Sequence, residues 1–276
     1  MKKETFSADW LGSREPFDAA ARQQAAARLQ LDQRLAAMRP PPGVPWRVID
    51  LACGTGANLR WLSPRLQGAQ EWLMVDHDAA LLRRTPEPAS PVSVVRQPLD
   101  LMSSLEILPW HAAHLVTASA LLDLVGTAWL QRLVAACGAA RVPMLLALSV
   151  DGRHHWTPGD PHDGTVGALF AAHQRRDKGF GAALGSQAVA TLLPALRRAG
   201  YRVSKAQSDW HVDARASAAD RELLRGLIEG MGAAAIEQHG DRAEALQNWQ
   251  RGRLEKLAQT RLRVGHVDVL AWPASS

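Results

Sequence analysis

Several things that would fix the class of this chain at once are scarce in it. Only two cysteines occur in 276 residues, Cys53 and Cys137, far apart and in no metal-like spacing, which argues against both a disulfide framework and a zinc site. Lysine is rare: 27 of the 32 basic residues are arginine, spread singly along helical stretches with pairs at Arg83/Arg84, Arg175/Arg176 and Arg197/Arg198. The net charge of +5 therefore reads as solvated helix faces rather than a track for nucleic acid. One tyrosine and four phenylalanines accompany ten scattered tryptophans, which suit core and lid packing and form no basic-aromatic stripe for bases. Long apolar runs are missing too. LVAACGAARVPMLLALSV is broken by Arg141 and Pro143, and MKKETFSADW has no apolar segment behind its lysines. Neither export nor a membrane span is expected, and a reducing, cytoplasmic setting fits best.

What is present is an apolar content of 47%, ample for a buried core. The first segment predicts one helix to about Met38, capped by Ser13 with Pro16 in its first turn, and stopped by Pro40, Pro41, Pro42 and Gly43. Residues 1–43 are thus a helical N-terminal arm. Over 44–273 strand-like and helix-like stretches alternate. The strands are WRVIDLA, EWLMVD, VSVVRQ, AHLVTASAL, PMLLALSV, YRVSKAQSDW and LRVGHVDVLAW. Such alternation calls for an α/β fold, a doubly wound, mostly parallel seven-stranded sheet covered on both faces. About fifty helix-like residues, roughly 214–262, precede the last strand and predict a helical insertion.

The first strand runs into VIDLACGTGANLRWL, where small residues lie between a strand and an amphipathic stretch. In a doubly wound sheet such a turn lets the backbone approach a ligand at a helix N-terminus. A dinucleotide fingerprint, G-x-G-x-x-G, is absent, because Leu59 stands three after Gly56. The run Asp50-Leu51-Ala52-Cys53-Gly54-Thr55-Gly56 instead resembles the acidic-x-Gly-x-Gly-x-Gly signature of class I S-adenosylmethionine-dependent methyltransferases, with Ala52 in place of the first glycine. Three further motifs follow in order across 47–150. EWLMVD ends on Asp76, followed by His77 and Asp78; RQPLDL carries Asp100 and Leu101; AHLVTASALLDLV carries Thr117, Ala118 and Ser119.

The resemblance implies S-adenosyl-L-methionine as cofactor. It implies that Asp76 accepts the ribose hydroxyls, that Asp100 and Leu101 flank the adenine with His77 nearby, and that Thr117, Ala118 and Ser119 neighbour the methyl donor. Asp50 orients the glycine loop or reaches the methionine amine, and Asn58 caps a helix or touches the cofactor. Asp76 alone also fits a helix N-cap. Cys53 needs only to be small. In the arm, Arg14 or Arg22 is a candidate for pairing with the methionine carboxylate.

Methyl transfer from a sulfonium is carried largely by positioning and desolvation, with a base needed for a hydroxyl or a protonated nitrogen. Acceptor-side candidates are accordingly diffuse. Asp123 follows the fourth strand as an acceptor-facing group or a surface cap. DGRHHWTPGDPHDGT, residues 151–165, reads as a flexible substrate loop bearing His154, His155, Asp160, His162 and Asp163, with no rigid metal-ligand spacing. His173, Arg175, Arg176, Asp177 and Lys178 form a polar cluster suited to an anionic or hydrogen-bonding substrate, or an ordinary solvated helix end. His154, His173 and Asp123 are the catalytic candidates; His155, His173, Arg176, Lys178 and Asp123 are those for substrate binding; no metal is expected. The expectation is methyl transfer to an oxygen or nitrogen of a small molecule. The alternatives are an RNA or protein methyltransferase and a non-catalytic S-adenosylmethionine-binding protein.

Overall fold

Side chains of β1 (Trp46–Leu51) alternate between two buried faces, Trp46 and Val48 on one side, Ile49 and Leu51 on the other. The same alternation runs through β2 (Gln70–Asp76), with Trp72 and Met74 on the first face and Val75 on the second. A sheet apolar on both sides must be covered on both, which dictates a three-layer arrangement. The computed structural model describes residues 6–177 and 181–274.

The remaining strands are β3 (Val92–Pro98), β4 (Leu115–Ser119), β5 (Met144–Thr157), β6 (Tyr201–Gln207), β7 (Trp210–Asp213) and β8 (Arg261–Pro273). Their order is β3-β2-β1-β4-β5-β8-β6, with β7 also paired to β8. The pairings from β3 through β5 are parallel, and β8 runs antiparallel to β5, β6 and β7. The strand order reverses at β1 and β4, the place where such sheets open a crevice at their carboxyl ends. The sheet has eight strands rather than the expected seven because YRVSKAQSDW divides at Ser208 and Asp209, and both pieces lie along the same long partner.

One face is covered by α5 (Thr127–Ala140) and α7 (Ala188–Arg198), through Leu130, Leu133, Leu192 and Leu196. The other is covered by α1 (Ala8–Leu29), α2 (Leu31–Ala37), α3 (Ala57–Leu62) and α4 (Ala79–Arg83), through Leu29, Leu35, Leu59 and Leu82. The arm differs from expectation. Ser7, not Ser13, caps α1, its hydroxyl oxygen accepting from the Trp10 amide at 3.1 Å; Pro16 lies inside the helix, and Gln30, at φ +51°, divides the arm into two helices.

A third cluster unites α6 (Asp163–Gln174), α8 (Ala218–Gln238) and α9 (Ala243–Glu255) with the far end of β5. The insertion read at 214–262 is α8 and α9. Arg253 of α9 ion-pairs with Asp163, and the indole N–H of Trp249 donates to the same carboxylate at 2.8 Å. Among the described residues no helix is long and apolar enough to cross a membrane.

Residues 151–157 are not a flexible loop. They extend β5, pairing His154 with Val264 and Thr157 with Arg261. β8 is long enough to offer a ladder there, and two register shifts carry β5 onto it, with Leu148 at φ +54° in the first and Gly152 at φ +83° in the second. A left-handed leucine costs about 1–2 kcal/mol. Its complete burial offsets this by about 1.5–3 kcal/mol, and its amide donates to Asp268 Oδ1 at 2.8 Å.

Candidate functional site

Past Leu51 the chain turns through Ala52 (φ +52°), Gly54 (φ +54°) and Gly56 (φ +82°) into α3. A Cβ on Gly56 would lie 2.7 Å from Thr85 Cγ2, so glycine is required there by space as well as by backbone. Ala52 holds the left-handed conformation with its methyl group in place. The turn forms one wall of a cavity of about 560 Å³ at the carboxyl ends of the strands, roofed by α1, α6 and α8.

Asp76, 5% exposed, fastens the turn. Its Oδ2 accepts from the Gly54 amide at 2.8 Å and its Oδ1 from the Asp78 amide at 2.9 Å. The helix cap is Asp78, which accepts from Ala80 and Leu81 at the start of α4, so the capping role considered for Asp76 falls two residues further on.

Beneath the turn lies a buried polar chain. Asp50 Oδ1 accepts from Asn58 Nδ2 at 2.6 Å; the same amide group donates to Thr117 Oγ1 at 3.1 Å, and Asn58 Oδ1 accepts from Arg22 Nη1 at 2.7 Å. Asp50 Oδ2 is buried without a hydrogen-bond partner among the described residues and belongs to a residue lining the cavity. Burial pushes the Asp50 carboxyl up to about 7, opposed by the Asn58 hydrogen bond and the Arg22 charge. Arg22 also stacks 3.8 Å from the Trp61 ring centroid and faces Asp268 at 3.8 Å. It does not line the cavity: a fully buried guanidinium has been committed to holding Asn58.

Of the other cofactor candidates, Cys53, Asn58, His77, Asp100, Leu101, Ser119 and Arg14 line the cavity. Thr117 and Ala118 are buried within β4, where Thr117 donates to the Leu145 carbonyl at 2.9 Å; they and Gly56 support the wall without lining it. Burial pushes the Cys53 thiol well above its ordinary range, which removes it as a nucleophile. Arg14 pairs with Asp18 at 3.0 Å and lies 5.0 Å from the Trp210 ring centroid.

On the acceptor side, Asp123, His154 and His173 reach the cavity. His155, next to His154 on a strand, does not line it, as alternation of side chains requires. Arg176 is turned to α8, where it ion-pairs with Glu237 and donates to Gln238 Oε1 at 2.9 Å. Lys178 lies outside the described residues. Among the described residues no three His, Cys, Asp or Glu side chains group as metal ligands. Sequence reasoning missed Trp10, Trp210 and His266, which also line the cavity. Ten tryptophans gave no way to single out two, and His266 lies on a strand without a motif.

Six aspartates line the cavity against one arginine among the described residues, so in a chain of net charge +5 this crevice favours a cation.

No protein-family model matches the chain, and no curated protein does. Solved structures do. A cyclopropane-fatty-acyl-phospholipid synthase-like protein from Lactobacillus casei is similar over 99% of this chain and 96% of its own, at 10% identity and TM-score 0.57. The YcgJ protein from Bacillus subtilis is similar over 91% of this chain and 99% of its own, at 14% identity and TM-score 0.51. With the strand order above, the fold is of the class I methyltransferase type.

Proposed function

We propose that this chain transfers a methyl group from S-adenosyl-L-methionine to an oxygen or nitrogen nucleophile of a small molecule by in-line displacement. The observation that carries the reading is the join of the glycine turn to Asp76 at the edge of a cavity that Asp50 also lines, the buried Oδ2 of Asp50 having no hydrogen-bond partner among the described residues. When bound, S-adenosylmethionine supplies a methyl group on a positively charged sulfur.

The residues present suit that ligand. Asp76, whose Oδ1 also faces His77 Nδ1 at 3.3 Å, receives the ribose hydroxyls through its remaining lone pairs. Asp50 faces the amine, and the acidic lining favours both ligand cations. His77, Asp100 and Leu101 flank the base, and Ser119 borders the sulfur end. Arg14 is the candidate for the carboxylate, at the expense of part of its pairing with Asp18. Enclosure beneath α1, α6 and α8 excludes water and holds the reactants together, which supports a small acceptor over a macromolecule.

Calorimetric titration with S-adenosylhomocysteine tests the ligand. Saturable one-to-one binding is the expected result, and no heat of binding with folded protein would contradict the reading.

A further inference from the structure

We propose that the corner of the cavity between β5, β8 and the helical roof is the acceptor subsite, and that it takes a neutral, largely apolar compound bearing a hydroxyl group, recognised by His154 and His266. The inference rests on the methyl-transfer reading and adds the class of acceptor.

Three observations converge on it. The first is the lining of the corner. His266 lies 4.9 Å from Trp210, ring centroid to centroid, and His154 stands edge-on to Phe170 at 5.9 Å. Leu148, Met231 and Val264 complete the walls. Such a surface rewards an apolar skeleton.

The second is the state of the two imidazoles. His266 Nδ1 lies 3.1 Å from the Val264 carbonyl, which can only accept, so Nδ1 carries the proton and Nε2 of the neutral ring a lone pair. Burial lowers the pKa of both rings, that of His266 to about 3, so both are neutral near pH 7. Each neutral imidazole keeps one acceptor nitrogen, Nε2 in His266, that a hydroxyl group can satisfy and a carboxylate cannot.

The third is charge. The only arginine of the lining among the described residues, Arg14, is already paired with Asp18, and Arg176 is held away by Glu237. Among the described residues, an anion entering here would find Arg14 already shared between Asp18 and the methionine carboxylate, no other arginine or lysine in the lining, and several carboxylates. A cationic acceptor would have to share the cavity with a sulfonium. A neutral hydrogen-bond donor meets neither penalty.

The test is equilibrium binding to the full chain, with and without saturating S-adenosylhomocysteine, of three probes of one shape. These are 2-naphthol, 2-methoxynaphthalene, which has no proton to donate, and 2-naphthoate, which is anionic. The naphthol is expected to bind about tenfold tighter than either. His154→Phe and His266→Phe should each cut that preference over the methoxy compound severalfold while leaving affinity for S-adenosylhomocysteine unchanged. Equal binding of the three, preference for the acid, or no binding of the naphthol overturns the proposal, whether or not the variants fold. Naphthol selectivity in a chain that does not bind S-adenosylhomocysteine would instead sink the methyl-transfer reading and leave the corner's selectivity standing.

Discussion

The Gly54 amide donates to Asp76 Oδ2 across 2.8 Å, joining the turn after β1 to the carboxyl end of β2. Asp76 therefore has two tasks, to hold the turn and to face the ligand. Asp76→Ala is expected to weaken S-adenosylhomocysteine binding by about 1–3 kcal/mol, through lost charge-assisted hydrogen bonds and a loosened turn. Unchanged affinity in a calorimetric titration would remove Asp76 from the site.

This part of the molecule was legible in the sequence because its determinants are local. The small residues 52–56 follow β1 and the carboxylate at position 76 ends β2, adjacent parallel strands whose spacing the α/β alternation fixes. The insertion was legible from its length. What could not be read depends on pairings distant in the chain. Residues 151–157 carry loop-like glycine and polar side chains, yet β8, more than a hundred residues on, draws them into the sheet. Arg22 has the chemistry to bind a carboxylate, but its partner Asn58, 36 residues away, places it under the floor. His266 faces the cavity only because of the register between β8 and β5.

Ala52 occupies a left-handed backbone position at φ +52° that suits glycine. Ala52→Gly should relieve roughly 1–2 kcal/mol of strain, partly offset by about 0.4–1 kcal/mol from the freer unfolded chain. The urea midpoint is expected to rise slightly with an unchanged slope. A fall in the midpoint would show that the alanine methyl contributes packing that outweighs the strain.

Asp50 has a pH signature of its own. With its native carboxyl raised from 3.8 to about 7, the folded chain holds a proton in that interval which the unfolded chain has lost. The contribution of Asp50 to stability therefore declines as pH rises from about 4 through about 7. An ammonium group brought against Oδ2 favours the ionised form, so binding S-adenosylhomocysteine at about pH 6.5 should release up to one proton. Binding enthalpies in buffers of differing ionisation enthalpy measure this. Asp50→Asn should abolish the release, and an unaltered release in that variant would assign the proton elsewhere.

The most direct test of methyl transfer to a small molecule is to follow the methyl group itself. Purified protein would be incubated with methyl-labelled S-adenosylmethionine and a cell lysate, and the transferred label divided between acid-soluble compounds and precipitated RNA and protein. The account predicts label in the soluble fraction that is lost with Asp76→Ala. Label confined to the precipitate, or no transfer beyond that of the Asp76→Ala control, would contradict it.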